Sequence, residues 1–144
     1  MRNSGRKRQR HGRRETPPFS AVPKAVVKKL QEKRVTPNGY KLLLDLFEQF
    51  NGNNNGDLSC AFSVFKSKGW NSKVTLTRAK NELVEKGFIE KTRQGLRSPP
   101  ICDLFAVTWL AIDECQGKLD TPPTHVASGH WSKNVWVHFL RLWV

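Results

Sequence analysis

A chain of 144 residues has room for one domain plus tails, and its 25 Lys and Arg against 12 Asp and Glu leave a formal net charge of +13. An excess of that size points to a polyanionic partner, nucleic acid first and an anionic membrane surface second. No apolar run reaches the ~18 residues of a membrane span and no apolar core follows the basic N-terminus, so neither a span nor a secretory signal is predicted, and a cytoplasmic setting is expected.

Arg2, Arg6, Lys7, Arg8, Arg10, Arg13 and Arg14 open the chain without a single acid among them. Such a stretch has too little apolar surface to fold alone, which predicts a disordered basic arm over residues 1–18. It either neutralises phosphates, with Arg6, Lys7, Arg8, Arg10, Arg13 and Arg14 as candidate contacts, or serves as a solubilising tail. After the stiff Thr16-Pro17-Pro18 joint, Phe19 to Val22 reads as a short strand, and Pro23 suits the first turn of a helix from Lys24 to Glu32. Ala25, Val26, Val27 and Leu30 would be its partly buried positions.

Thr36-Pro37 has the form of a helix cap followed by a first position. Tyr40, Leu43, Leu44, Phe47 and Phe50 then hold helical spacing, widened by Leu42 and Leu46, which predicts the core helix. Asn51 to Gly56 is a polar loop whose residues tolerate positive φ and bond their own backbone, with a binding role as the alternative.

A helix capped by Asp57 or Ser59 comes next, its apolar face made by Leu58, Ala61, Phe62 and Phe65 and its end marked by Gly69. The short Lys68-Gly69-Trp70-Asn71 turn forces a second helix, Lys73 to Glu85 with Ser72 as cap, across the first. Leu76, Ala79 and Leu83 share one of its faces, with Lys73, Thr77, Arg78 and Asn81 on the other. Past Gly87 the period falls to 2: Phe88 to Arg93 and Asp103 to Trp109 read as strands, the latter with Phe105, Val107 and Trp109 on one face. Two prolines make the Gln94 to Cys102 link a loop. The order spells a mostly α, α+β fold, a winged helix-turn-helix of three core helices plus a β-hairpin wing over residues 19–112. Residues 113–144 form a C-terminal extension, irregular from Asp120 to Gly129 and apolar from Trp131 to Val144. That apolar end either docks on the domain or pairs subunits as a homodimer.

Cys60, Cys102 and Cys115 are odd in number and form no C-x-x-C pair, so reduced thiols are expected. His11, His125, His130 and His138 lack metal-ligand spacing, and no phosphate loop, nucleophile elbow or acidic metal cluster appears. No catalytic residue, metal, cofactor or small-molecule substrate is therefore expected, and the chain reads as something other than an enzyme.

Asn51-Gly52-Asn53-Asn54-Asn55-Gly56-Asp57-Leu58, then Gly69-Trp70, Thr75-Leu76, Glu82-Leu83, Gly87-Phe88-Ile89, Thr92-Arg93-Gln94-Gly95, Leu104 to Trp109 and Gly117-Lys118-Leu119-Asp120 together resemble small bacterial winged-helix proteins of phage, prophage and plasmid origin. The resemblance covers Phe19 to Asp120 and implies duplex DNA as the partner, in the bacterial cytoplasm, for a regulator of transcription or a replication accessory. The apolar ending departs from the polar endings of that group.

On duplex DNA the Lys73 to Glu85 helix would enter the major groove N-terminal half first, with Arg78 and Asn81 suited to guanine and adenine. Ser72, Lys73, Thr75 and Thr77 would hold phosphates. Arg93 and Arg97 flank the wing and are its candidate contacts, or else ordinary solvated charges. Glu82 and Glu85 would repel phosphate and confine contact to the first two turns. A protein-interaction module docking on a replication or host-defence complex is the alternative use of such a fold, and RNA binding would draw on the arm alone.

Overall fold

The computed structural model describes residues 18–133. The arm from Arg2 to Arg14 and the apolar end past Lys133 lie outside the described residues, so the expectations placed on them stand on sequence alone. The fold is α+β, with four helices and a small antiparallel sheet.

Helix α1, Lys24–Glu32, begins after Pro23 and buries only Val26 and Leu30, one turn apart. Of the other expected positions, Ala25 is exposed and Val27 is partly buried, at 37% exposed. Helix α2, Pro37–Phe47, starts as its sequence requires: the Thr36 hydroxyl accepts from Gly39 N at 3.2 Å, and Pro37 stands where no N–H is needed. Leu42, Leu43, Leu46 and Phe47 are its buried stripe, whereas Leu44 is 58% exposed and Tyr40 and Phe50 sit at the margin. The stripe is thus rotated from the expected one by part of a turn, toward Gly39. The reason is a close helix approach: a Cβ at Gly39 would lie 2.5 Å from Val35 and 2.6 Å from the Glu82 carboxylate.

Leu58 and Ser59 open no helix. They form β1, a strand paired antiparallel with a later one, and Ser59 is also held by Gln49, whose amide accepts from Ser59 N and donates to Ser59 O, each at 2.9 Å. Backbone partners from distant segments outweigh the local helical spacing here. Helix α3 is consequently short, Phe62–Phe65, extended by a 3-10 turn over Lys66–Lys68 and closed by Gly69 at φ 90°. Lys41 Nζ then reaches the Lys68 carbonyl at 2.7 Å, while the buried Trp70 indole donates to Asp45 at 2.8 Å. These two bonds tie the turn to α2 and set where the next helix begins.

Helix α4, Lys73–Glu85, has its expected cap, Ser72 Oγ accepting from Thr75 N at 3.2 Å, and its expected core face of Leu76, Ala79 and Leu83. Gly87 follows at φ 85°, in the left-handed conformation that closes a helix. Strands β2, Ile89–Arg93, and β5, Leu104–Val107, are shorter than the expected runs. The sheet order is β1-β5-β2. No strand forms at Phe19 to Val22; β1 takes the third place instead. Central and flanked on both edges, β5 buries Leu104, Phe105, Ala106 and Val107 alike rather than one face alone. The stretch expected to be a plain loop carries a small hairpin of β3, Leu96–Arg97, and β4, Pro100–Ile101, with the proline opening its strand.

The chain after β5 returns across the domain. Asp120 N and Thr121 N donate to Thr92 O, Gly129 N to Thr108 O, and Trp131 packs on the core. Among the described residues no helix is long and apolar enough to cross a membrane.

Candidate nucleic-acid interface

Three contributions converge on one groove: the Lys73, Thr77 and Lys80 flank of α4, the end of α3, and the base of the hairpin, while Arg78 lies on the other flank of α4, beside Thr36 and Asn38 at the start of α2. Leu76, Ala79 and Leu83 turn inward, so the helical period leaves Lys73, Thr77, Arg78 and Asn81 exposed. Arg78 and Asn81 make no side-chain hydrogen bond or ion pair among the described residues, and both remain available to a partner. Thr75 is half-buried, and the exposed Ser72 hydroxyl accepts the capping bond while keeping its own proton to donate.

A groove of about 750 Å³ runs between α4 and the hairpin base. Lys66, Lys73 and Lys80 line it with Thr77 and Ser63, over an apolar floor that includes Leu76 and Phe105. Lys66 and Lys80 are cations that the sequence reading missed. The spacing held the signal for Lys80, which lies seven residues after Lys73 and three after Thr77 and so shares their side of the helix. Nothing local marked Lys66, because its helix ends in a tighter turn than expected.

Two acids near this face, Asp103 and Glu82, are engaged within the fold, whereas Glu85 is exposed on α4 and makes no ion pair among the described residues. Asp103, which also lines the groove, pairs with Lys91 at 3.2 Å and accepts from Gly95 N. Burial works to raise its carboxyl, but the Gly95 N–H and the Lys91 ammonium outweigh that and hold it below the usual range. Glu82, expected to repel phosphate, turns instead to the start of α2. It accepts from Thr36 N at 3.1 Å, Thr36 Oγ1 at 2.6 Å and Lys86 Nζ at 2.9 Å. Burial again opposes ionisation, and the Thr36 and Lys86 hydrogen bonds win, lowering the Glu82 carboxyl. Cys60 lies in the same groove with its thiol pushed up to about 12 by burial, hence protonated and inert.

Arg93 is not a free contact. Its guanidinium donates twice to the Cys102 carbonyl, at 3.2 and 2.9 Å, and closes the hairpin base. Arg97 is exposed in the hairpin itself. Arg6, Lys7, Arg8, Arg10, Arg13 and Arg14 fall outside the described residues. Among the described residues no three His, Cys, Asp or Glu side chains come together as a metal site.

The lowered carboxyls make acid stability a test of these anchors. A depressed folded-state value means the ionised form stabilises the fold, fully above the ordinary carboxylate range and progressively less as pH falls through the folded value. The thermal midpoint should hold from neutrality to about pH 5 and decline below it. Glu82→Gln should lower the midpoint at neutral pH and flatten the acid decline; an unchanged acid limb would show that Glu82 is not the group involved.

No family model matches the sequence, and neither a curated protein nor a solved structure does.

Proposed function

We propose that this chain is a winged helix-turn-helix protein that binds duplex DNA, with α4 as the recognition helix and the β3–β4 hairpin as the wing. One observation carries the reading: a capped, core-backed helix exposes Asn81 and Arg78, with a groove lined by Lys66, Lys73 and Lys80 along one flank and Arg78 on the other, beside Thr75 and the start of α2. The element order α2, β1, α3, α4, β2, hairpin, β5 supports the winged assignment. The net charge of +13 supports a phosphate-rich partner.

In this reading Arg78 takes guanine and Asn81 adenine by paired hydrogen bonds, while Ser72, Lys73, Thr77 and the groove lysines hold the phosphate backbone. Together with the resemblance to phage and plasmid proteins, this makes the chain a transcriptional regulator or replication accessory of a mobile element, working in the bacterial cytoplasm.

The test is selection of bound fragments from a random duplex pool at moderate salt, followed by a mobility shift with RNA as competitor. An enriched motif containing G and A, retained against RNA, is the expected result. A palindrome with half-sites one helical turn apart would identify a homodimer on the site, and a single half-site a monomer. Failure to retain any duplex, with a stable protein complex recovered by pull-down, would overturn the reading in favour of an interaction module.

A further inference from the structure

The hairpin holds an apolar feature that charge and base recognition leave unused. Leu96 pairs with Ile101 and Arg97 with Pro100. Directly opposed residues of an antiparallel pair share a face, so Leu96 and Ile101 make one side of the hairpin and Arg97 with Pro100 the other. Leu96 is 56% exposed and Ile101 37% exposed. Below them the hairpin is fixed at three points: Arg93 on the Cys102 carbonyl, Gly95 N on Asp103, and Gln94 N on the Asp120 carboxylate at 2.8 Å. A water-facing aliphatic pair thus stands on an anchored base.

Size and charge select what covers it. Two partly exposed side chains offer far less than the ~800 Å² per partner that a stable protein interface buries. Opening a stacked base step takes only one or two apolar side chains inserted from the minor groove. Cations lie nearby, with Arg97 on the opposite face of the hairpin and the groove lysines beyond its base, where Asp103 and Asp120 are already bound to Gly95 and Gln94. We infer that Leu96 and Ile101 are a wedge that enters the minor groove and partly unstacks one base step where the hairpin lands, with Arg97 on the flanking backbone. The inference rests on the duplex-binding reading. It adds a source of specificity without base hydrogen bonds, since pyrimidine–purine steps such as TA and CA open most readily.

The test uses the full chain on the duplex selected above, with 2-aminopurine placed in turn at each step on both sides of the α4 site. Binding should raise the fluorescence at one step, and a TA or CA step there should bind more tightly than a GG step. The double variant Leu96→Ser with Ile101→Ser changes only exposed side chains, so its thermal midpoint should match the parent. It should still bind while leaving fluorescence at the free-duplex level and losing the step preference. Duplex binding with no fluorescence rise at any step, or a double variant that still raises it, overturns the wedge and leaves the DNA reading intact. No duplex binding at all overturns both.

Discussion

Arg78→Ala is expected to weaken binding to the selected duplex by about tenfold to a hundredfold, and binding to random duplex far less. The size follows from the about 1 to 3 kcal/mol by which one paired side-chain contact discriminates between bases. Arg78 makes no side-chain bond within the described chain, so its removal should leave the unfolding midpoint in place and a loss of binding can be read as a loss of contact. Deleting Met1 to Arg14 should act differently. It removes cations that carry no sequence information and so should weaken selected and random duplex together. It should also reduce the dependence of affinity on salt, because each phosphate no longer neutralised lowers the logarithmic slope by about 0.9. Mobility shifts at several salt concentrations separate the two effects. Equal losses on both duplexes for both changes would remove the claim that α4 reads sequence.

The second large effect concerns stability. Asn55 is fully buried, and its side chain serves the backbone of a distant segment: Nδ2 donates toward the carbonyls of Val107 at 3.1 Å, Leu110 at 3.2 Å and Ala111 at 2.9 Å, and Oδ1 accepts from Val107 N at 2.9 Å. Its own backbone is bound on both sides to Asp113, which donates its N–H at 2.9 Å and accepts at 2.8 Å. Asn55→Ala would strand several of those polar groups in the interior, where each unsatisfied group costs about 1 to 3 kcal/mol. A total loss above about 3 kcal/mol is expected, out of a typical domain stability of about 5 to 15. It should appear in urea as a lower midpoint with an unchanged slope. The exposed neighbour Asn53, changed to Ala, should shift stability by no more than about 0.5 kcal/mol. A loss below about 1 kcal/mol at Asn55 would contradict the role assigned to its hydrogen bonds.

That contrast marks where the sequence was legible and where it was not. Helix α4 could be read because its determinants are local: a serine cap, an apolar face at Leu76, Ala79 and Leu83, and a terminating glycine. Thr36-Pro37 was readable for the same reason. Leu58 and Ser59 were misread because Leu58, Phe62 and Phe65 do keep helical spacing, while the pairing that makes a strand comes from Leu104 and Phe105, far along the chain. Asn55 was indistinguishable from the asparagines around it, since its partners lie more than fifty residues away. Among the site residues, the α4 face followed from periodicity. Arg93 cannot be told from Arg97 locally, because its partner is the Cys102 carbonyl nine residues on. Glu82 reads in sequence as an obstacle, and in the fold Thr36 and Lys86 occupy it.

Gly87 carries a last consequence. It joins α4 to β2, and a Cβ there would stand 2.6 Å from the His130 carbonyl oxygen. The His130 backbone therefore lies directly against the joint between the helix and the strand that leads to the hairpin, leaving no room for a side chain there. A chain cut upstream of His130 would keep every residue of both elements and lose the backbone that packs against their joint.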